Sequence, residues 1–405
     1  MRRIFILLSI GTFICCLSCS NSNKKAAKVN KQSDSYSYSE IHDNESEAES
    51  DNYQEIEVDI NFDEEYHGSF SEGLAPVRKG KKWGFINKKG KLVISAKYDD
   101  VGYFSEGLAS VTINDKEGYI NKNGEIVIPL IYDFAAHFND GIAVVREEHN
   151  YGMIDKNGEI VIPMYYQNLS KFSEGLAWAE KDDKGGFISK SNNTVIPFKF
   201  KDQTDNYFKN GLAVVEDDNG KCIIDKKGLV KFRCPSPYRF ISVDQQSEGL
   251  FCYGNLETER IGFVDQDGDI RVPMDYKYNY SWFSEGLAHV SKDGKWGYVD
   301  TSGNIAIALY FDDAEPFKDG IGIVEQNRKF GCIDKEGVIV IPFKYDDMSY
   351  SQTRDIIIVK KNGKWGFINN NGDVVIPIIY DEVQDMYDGV CFAQKEGKTY
   401  LLVLP

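Results

Sequence analysis

The chain of 405 residues carries 63 acidic against 47 basic side chains, a formal net charge of −16, and is 42% hydrophobic and 13% aromatic. That charge balance argues against nucleic acid or an anionic lipid surface as the principal partner, because phosphate binding depends on clustered positive charge. The apolar fraction is enough to build a substantial core, and the length by itself suggests two or three domains.

Residues 1–19 predict an export signal. Arg2 and Arg3 precede an apolar run from Ile4 to Leu17 that is too short for a permanent membrane span. The run ends Leu17-Ser18-Cys19, which resembles the lipobox of bacterial lipoproteins. The resemblance implies cleavage before Cys19 and a lipid on that cysteine, with an ordinary secretory signal as the alternative. Both place the mature chain outside the cytoplasm, and the first predicts a protein anchored to a bacterial membrane.

Residues 20–65 predict a tether. From Ser20 to Asn52 only Val29 and Ile41 are aliphatic, and Glu45 to Asp51 is acidic, so the segment cannot bury enough apolar surface to offset chain entropy.

From residue 66 to 405 one motif recurs. Its Trp-Gly step falls at Trp83, Glu117, Tyr151, Gly185, Lys221, Ile261, Trp296, Phe330 and Trp365, with a degenerate copy at Thr399, at spacings of 34 to 40 residues. A period this regular replaces the domain count with a repeat array of nine units and a degraded tenth. Within a unit, Leu108 to Val111 and Trp83 to Asn87 alternate as half-buried strands, Trp83 and Phe85 on one face and Gly84 and Ile86 on the other. The bare glycine admits close approach of a neighbouring backbone. Ile126-Val127-Ile128 predicts a third short strand ended by Pro129, which cannot donate to a ladder. Between the second and third strands, Asn87 to Gly90 and its equivalents predict a type I turn, the first side chain accepting a backbone N–H and Gly taking the left-handed conformation. Each unit therefore reads as about three short strands, unstable alone.

These units resemble the WG (KWG) repeat family of bacterial β-repeat proteins, most closely at Gly80 to Asn87, Gly294 to Asp300 and Gly363 to Asn369. The resemblance implies an all-β array, often on exported proteins, and no common activity. The expected architecture is an elongated, curved solenoid-like stack of about 34-residue β-hairpin repeats, with β-propeller-like closure as the alternative, since 34 residues is short for a four-stranded blade.

Catalytic candidates fall away on inspection. His42, His67, His137, His149 and His289 occupy unrelated repeat positions without metal or triad spacing. Glu72, Glu106, Glu174, Glu248 and Glu285 recur in the Ser-Glu-Gly step, but Asp140, Asn210 and Asp319 replace them, which marks a turn former. Asp265 to Asp269 has the look of a calcium loop yet lacks the distal ligands such a loop needs. No metal, cofactor or enzymatic activity is predicted; a glycan hydrolase is the alternative function. Five cysteines lie in the array, Cys222, Cys234 and Cys252 clustering where the period stretches, either as a disulfide-pinned or grafted joint or as drift. The repeated aromatics serve either as core ladders or as sugar platforms, and the off-register Trp178, Tyr280 and Trp282 are the candidates for ligand contact. The function expected is a non-catalytic cell-envelope binding or scaffold lipoprotein presenting its array to a protein or glycan.

Overall fold

The computed structural model describes residues 53–58, 68–201, 207–235, 238–240, 247–255, 257–277 and 281–405. The predicted signal, the lipidation candidate Cys19 and most of the predicted tether lie outside them, as do His42, His67 and Tyr280. The described residues form no helix and 38 strands, gathered into ten small antiparallel sheets that are the blades of a ten-bladed β-propeller.

The second blade serves as the template. Its strands are Asp100–Val101, Leu108–Ile113, Lys116–Asn121 and Ile126–Tyr132, hydrogen-bonded in that order. Three strands per unit were expected, and eight of the ten blades have four among the described residues, because the residues after the Tyr-Asp step join the next blade as a short first strand. The central strands are buried on both faces: in the first blade Ala75, Val77, Phe85 and Ile86 are all inaccessible, since each blade is packed between two others.

The predicted turn is present in the first nine blades. Asn87 Oδ1 accepts from the backbone N–H of Lys89 and Lys91, and Gly90 adopts φ 71°. The step read as Ser-Glu-Gly is a second, tighter turn. Ser71 and Leu74 exchange both backbone hydrogen bonds around Glu72 and Gly73, whose φ values of 52° and 84° define a type I′ hairpin.

Pro129 does not end its strand. The strand runs on to Tyr132, and its pairing jumps from Tyr119↔Ile128 to Glu117↔Tyr132, so the residues around the proline bulge outward over Gly118. A proline is tolerated here because this strand is the free edge of the blade, where a missing donor costs nothing and discourages pairing with another sheet.

The open stack is overturned in favour of closure. Gln54–Glu57 pairs antiparallel with Lys398–Val403 and completes the tenth blade as its fourth strand, register Gln54↔Val403 to Glu57↔Tyr400. Val58 and Phe70 share a core with Val390, Phe392 and Leu401. The tether boundary at residue 65 is therefore too late, since residues 54–57 belong to the propeller. A short blade suffices because the first strand is only two residues long, and because the tenth blade's missing strand is supplied from the other end of the chain.

Candidate functional site

The repeated carboxylates are structural links between blades. Glu72 accepts from Gly107 N (3.0 Å) and pairs with Lys122 Nζ (3.0 Å), both in the following blade. Glu106 does the same with Gly141 and Lys156, Glu174 with Gly211 and Lys226, and Glu285 with Gly320 and Lys335. The tenth blade repeats the contact onto the first: Asp388 accepts from Gly73 N (3.1 Å) and pairs with Lys88 (3.1 Å). The preceding serine adds a second link, as when Ser71 Oγ donates to Phe104 O at 2.6 Å. These residues thus do more than form turns: each left-handed Glu is tied to the next blade, which offsets its unfavourable φ.

A second series lies where blades are joined at their other end. Asp133 accepts from Lys116 Nζ (2.6 Å) in one blade and from Glu148 N (2.6 Å) in the next, and Asp312 links Lys295 to Asn327 N likewise. The lysine hydrogen bond, reinforced by the backbone N–H, holds Asp99, Asp133, Asp312 and Asp381 below the usual aspartate range. Burial moves Glu117 and Glu315 upward, in the opposite sense. The depressed groups stabilise the fold fully above their unfolded value of 3.8, and that stabilisation is lost as pH falls through it toward their folded values. Because such links occur at junction after junction, the thermal midpoint is expected to hold down to about pH 5 and to fall steeply between about pH 4 and 2. A melting series over pH 2–7 checks this, and a flat profile would contradict it.

The three aromatic candidates part company. Trp178 is only 2% exposed and belongs to the core, which corrects its expected role as a contact residue. The physical reason is a swap of volumes: the Trp-Gly position of this blade is Gly185, and the Trp178 indole occupies the space above it. Tyr280 lies outside the described residues. Trp282 is 36% exposed, immediately before the first strand of the seventh blade, Phe283–Ser284.

Around Trp282 the structure assembles what the sequence did not suggest. His289, on the strand Leu287–Lys292, meets Trp282 edge to face (centroids 5.5 Å, 89°) and stacks on Trp296 (5.8 Å, 16°). Ser281 Oγ donates to His289 O at 2.6 Å and fixes the approach of the loop to the strand. Three rings of different repeat positions thus form one wall, with the half-exposed indole outermost. His289 occupies the register position of Trp178, Val144 and Ser110, each opposite a core residue of its neighbouring strand. A polar ring there was the only signal, and it is weak without the fold.

The tyrosine ladder at Tyr98, Tyr132, Tyr166, Tyr276, Tyr345 and Tyr380 is buried, so those rings are core. Trp83, Tyr151, Trp296, Phe330 and Trp365 are half-buried, some beneath cations, with Lys360 4.9 Å above Trp365. The cysteines Cys222, Cys234, Cys252, Cys332 and Cys391 are free and buried, and burial alone pushes the Cys234 thiol up to about 11. The Asp265 carboxylate is taken up by its own turn, accepting from Asp267 N and Asp269 N, and by Arg271 at 2.8 Å. Among the described residues no cluster of three metal-ligating side chains occurs.

The sequence pattern named WG containing repeat matches nine segments: 55–83, 83–116, 118–148, 151–184, 186–222, 261–296, 296–330, 330–365 and 365–398. This chain belongs to the WG-repeat family. The first match begins inside the closing strand, and the gap between 222 and 261 coincides with the stretched period around Cys234 and Cys252. No protein of curated function matches this WG-repeat chain. Among solved structures it is similar to a eukaryotic initiation factor (11% identity, 82% of this chain and 94% of that one, TM-score 0.45). It is also similar to Hsv2 of Kluyvelomyces marxianus (8%, 70% and 100%, 0.33) and AztD of Citrobacter koseri (12%, 71% and 93%, 0.32). Likeness at this level assigns no activity to the WG-repeat chain.

Proposed function

We propose that this WG-repeat propeller is a non-catalytic binding platform of the bacterial cell envelope, anchored by a lipid on Cys19, that contacts a protein or glycan through non-repeated aromatic positions. The observation that carries this reading is the division of labour between side chains. The carboxylates that recur with the motif are engaged in holding blade to blade, whereas Trp282 packs edge to face on His289, which in turn stacks on Trp296, and stays 36% exposed. A pre-organised exposed indole suits stacking on a sugar ring or on an aromatic or cationic side chain, at little entropic cost.

The test is binding of the folded chain to peptidoglycan fragments and to envelope proteins, with Trp282→Ala beside the wild type. Loss of the indole is expected to weaken the interaction about tenfold, as for about 1.4 kcal/mol of ring stacking. Absence of binding to either class, or equal binding by Trp282→Ala, rejects the platform. The anchor is checked separately: Cys19→Ser is expected to move the protein from the membrane fraction to the soluble fraction and to abolish labelling by a radioactive fatty acid. Unchanged fractionation and labelling would exclude Cys19 as the attachment point.

A further inference from the structure

The blades meet through a recurring pair of rings. Phe85 contacts Phe104 of the next blade with centroids 4.9 Å apart, Tyr119 contacts Phe138 at 4.8 Å, Phe187 contacts Phe208 at 4.7 Å, and Tyr298 contacts Phe317 at 4.8 Å. Four blades place a smaller or unbranched side chain in the first of these positions: Met153, Ile223, Cys332 and Leu401. At Leu401 the deficit is filled by Phe392, stacked on Phe70 with centroids 5.8 Å apart. At Cys332 the deficit is filled by Tyr350, whose hydroxyl donates to Ile321 O (2.9 Å) and accepts from Ile323 N (3.0 Å). At Ile223 it is filled by Phe240 and Phe251, which join the same core cluster.

At Met153 no ring takes the place. A cavity of about 220 Å³ remains at the junction of the third and fourth blades, its apolar wall made by Phe134, Met153, Leu169 and Phe172 and its polar rim by His137 and Lys171. Phe172, the ring that lacks its partner, stays 8% exposed. An engineered apolar cavity of about 150 Å³ is large enough to bind benzene, so this one has room for a ring and a short substituent. The rim decides what that substituent is. The chain as a whole is strongly acidic, but Lys171 is exposed at the rim and makes no salt bridge among the described residues. Lys190 stands 5.8 Å over the Phe172 ring. His137 is oriented by Tyr103, its Nδ1 lying 3.3 Å from the phenol oxygen. Burial and the charge of Lys171 lower the His137 pKa, which leaves a neutral imidazole at pH 7, able to share a hydrogen bond beside the ammonium.

We propose that this cavity binds a small aromatic carboxylate, the ring completing the missing interblade pair against Phe172 and Met153 and the carboxylate facing Lys171 and His137. The site is separate from the Trp282 wall and does not depend on the platform reading.

Phenylacetate is the probe, benzyl alcohol its uncharged counterpart, and calorimetric or NMR titration of the folded chain the readout. The wild type is expected to bind phenylacetate about tenfold more tightly than benzyl alcohol, the margin of one charge-assisted contact. Met153→Phe supplies from the protein the ring that the other blades carry, and is expected to abolish binding of both probes while leaving the melting temperature equal or higher. Lys171→Met, at an exposed position where folding is not at stake, is expected to erase the preference for the acid and keep the alcohol. The proposal fails if the wild type shows no saturable uptake of phenylacetate in the millimolar range. It fails equally if Met153→Phe folds and binds as the wild type does, or if Lys171→Met retains the preference.

Discussion

Removal of residues 1–58 is expected to destabilise the propeller by about 5 kcal/mol and to promote its self-association. The figure combines the burial of Ile56 and Val58 with the main-chain pairing of Gln54–Glu57, at about 1.5–3 kcal/mol per buried aliphatic side chain and about 1 kcal/mol per net hydrogen bond. The deletion also removes the pairs Glu55 to Lys395 (2.6 Å) and Glu57 to Lys398 (2.9 Å), and the hydrogen bond from Tyr380 to Glu55. The exposed pairs contribute little, so the main-chain and apolar terms decide the outcome. What remains is an unpaired edge along Lys398–Val403, a template for a second chain. Thermal melts and size-exclusion chromatography of the full and shortened proteins check this. A shortened chain that melts with the full one and elutes in the same association state would show that closure contributes nothing.

Gly118→Ala is expected to cost about 3 kcal/mol, while Gly107→Ala in the same blade costs about 1 kcal/mol. The two glycines are needed for different reasons. A Cβ on Gly118 would lie 2.5 Å from both Ile128 O and Pro129 O, backbone atoms of the bulged edge strand that cannot move aside without breaking its pairing. Gly297 is in the same position in the seventh blade, where a Cβ would meet Ile307 O and Ala308 O at 2.6 Å. Gly107 has open space around it and is required only by its φ of 88°. The Trp-Gly pair is thereby explained: the aromatic ring packs against the blade face, and the glycine lets the proline-bearing bulge pass over the strand. Urea melts of the two variants give the comparison, and equal losses would refute the distinction.

Much of this was readable from residues alone. The alternation of Trp83 to Asn87, the Asn87 to Gly90 turn and the 34-residue period all reflect local chemistry that operates within a few bonds of the residue concerned. The Tyr98 series could be placed in a ladder, though not yet in the core. The closing strand was missed because Gln54-Glu55-Ile56-Glu57-Val58 carries its apolar alternation inside an acidic run, and its partner lies more than 340 residues away. Trp178 was misread because its burial depends on Gly185, a vacancy in the neighbouring strand that no single-position rule links to it. The joining of His289 to Trp282 and Trp296 has the same origin.

The sequence by itself determined the repeat, three of the strands in each unit, both turn chemistries and the absence of a recognisable catalytic motif, because each is encoded in short-range periodicity and backbone preference. Whether the array would stay open or close was left to tertiary structure. A per-blade rotation is too small to read from one unit, but summed over ten it brings the tenth blade against the first, where Asp388 meets Gly73 and Lys88 as Glu72, Glu106, Glu174 and Glu285 meet their next blades. Tertiary structure also decided which rings are core and which reach solvent, since a ring's exposure is fixed by the volumes its neighbours present.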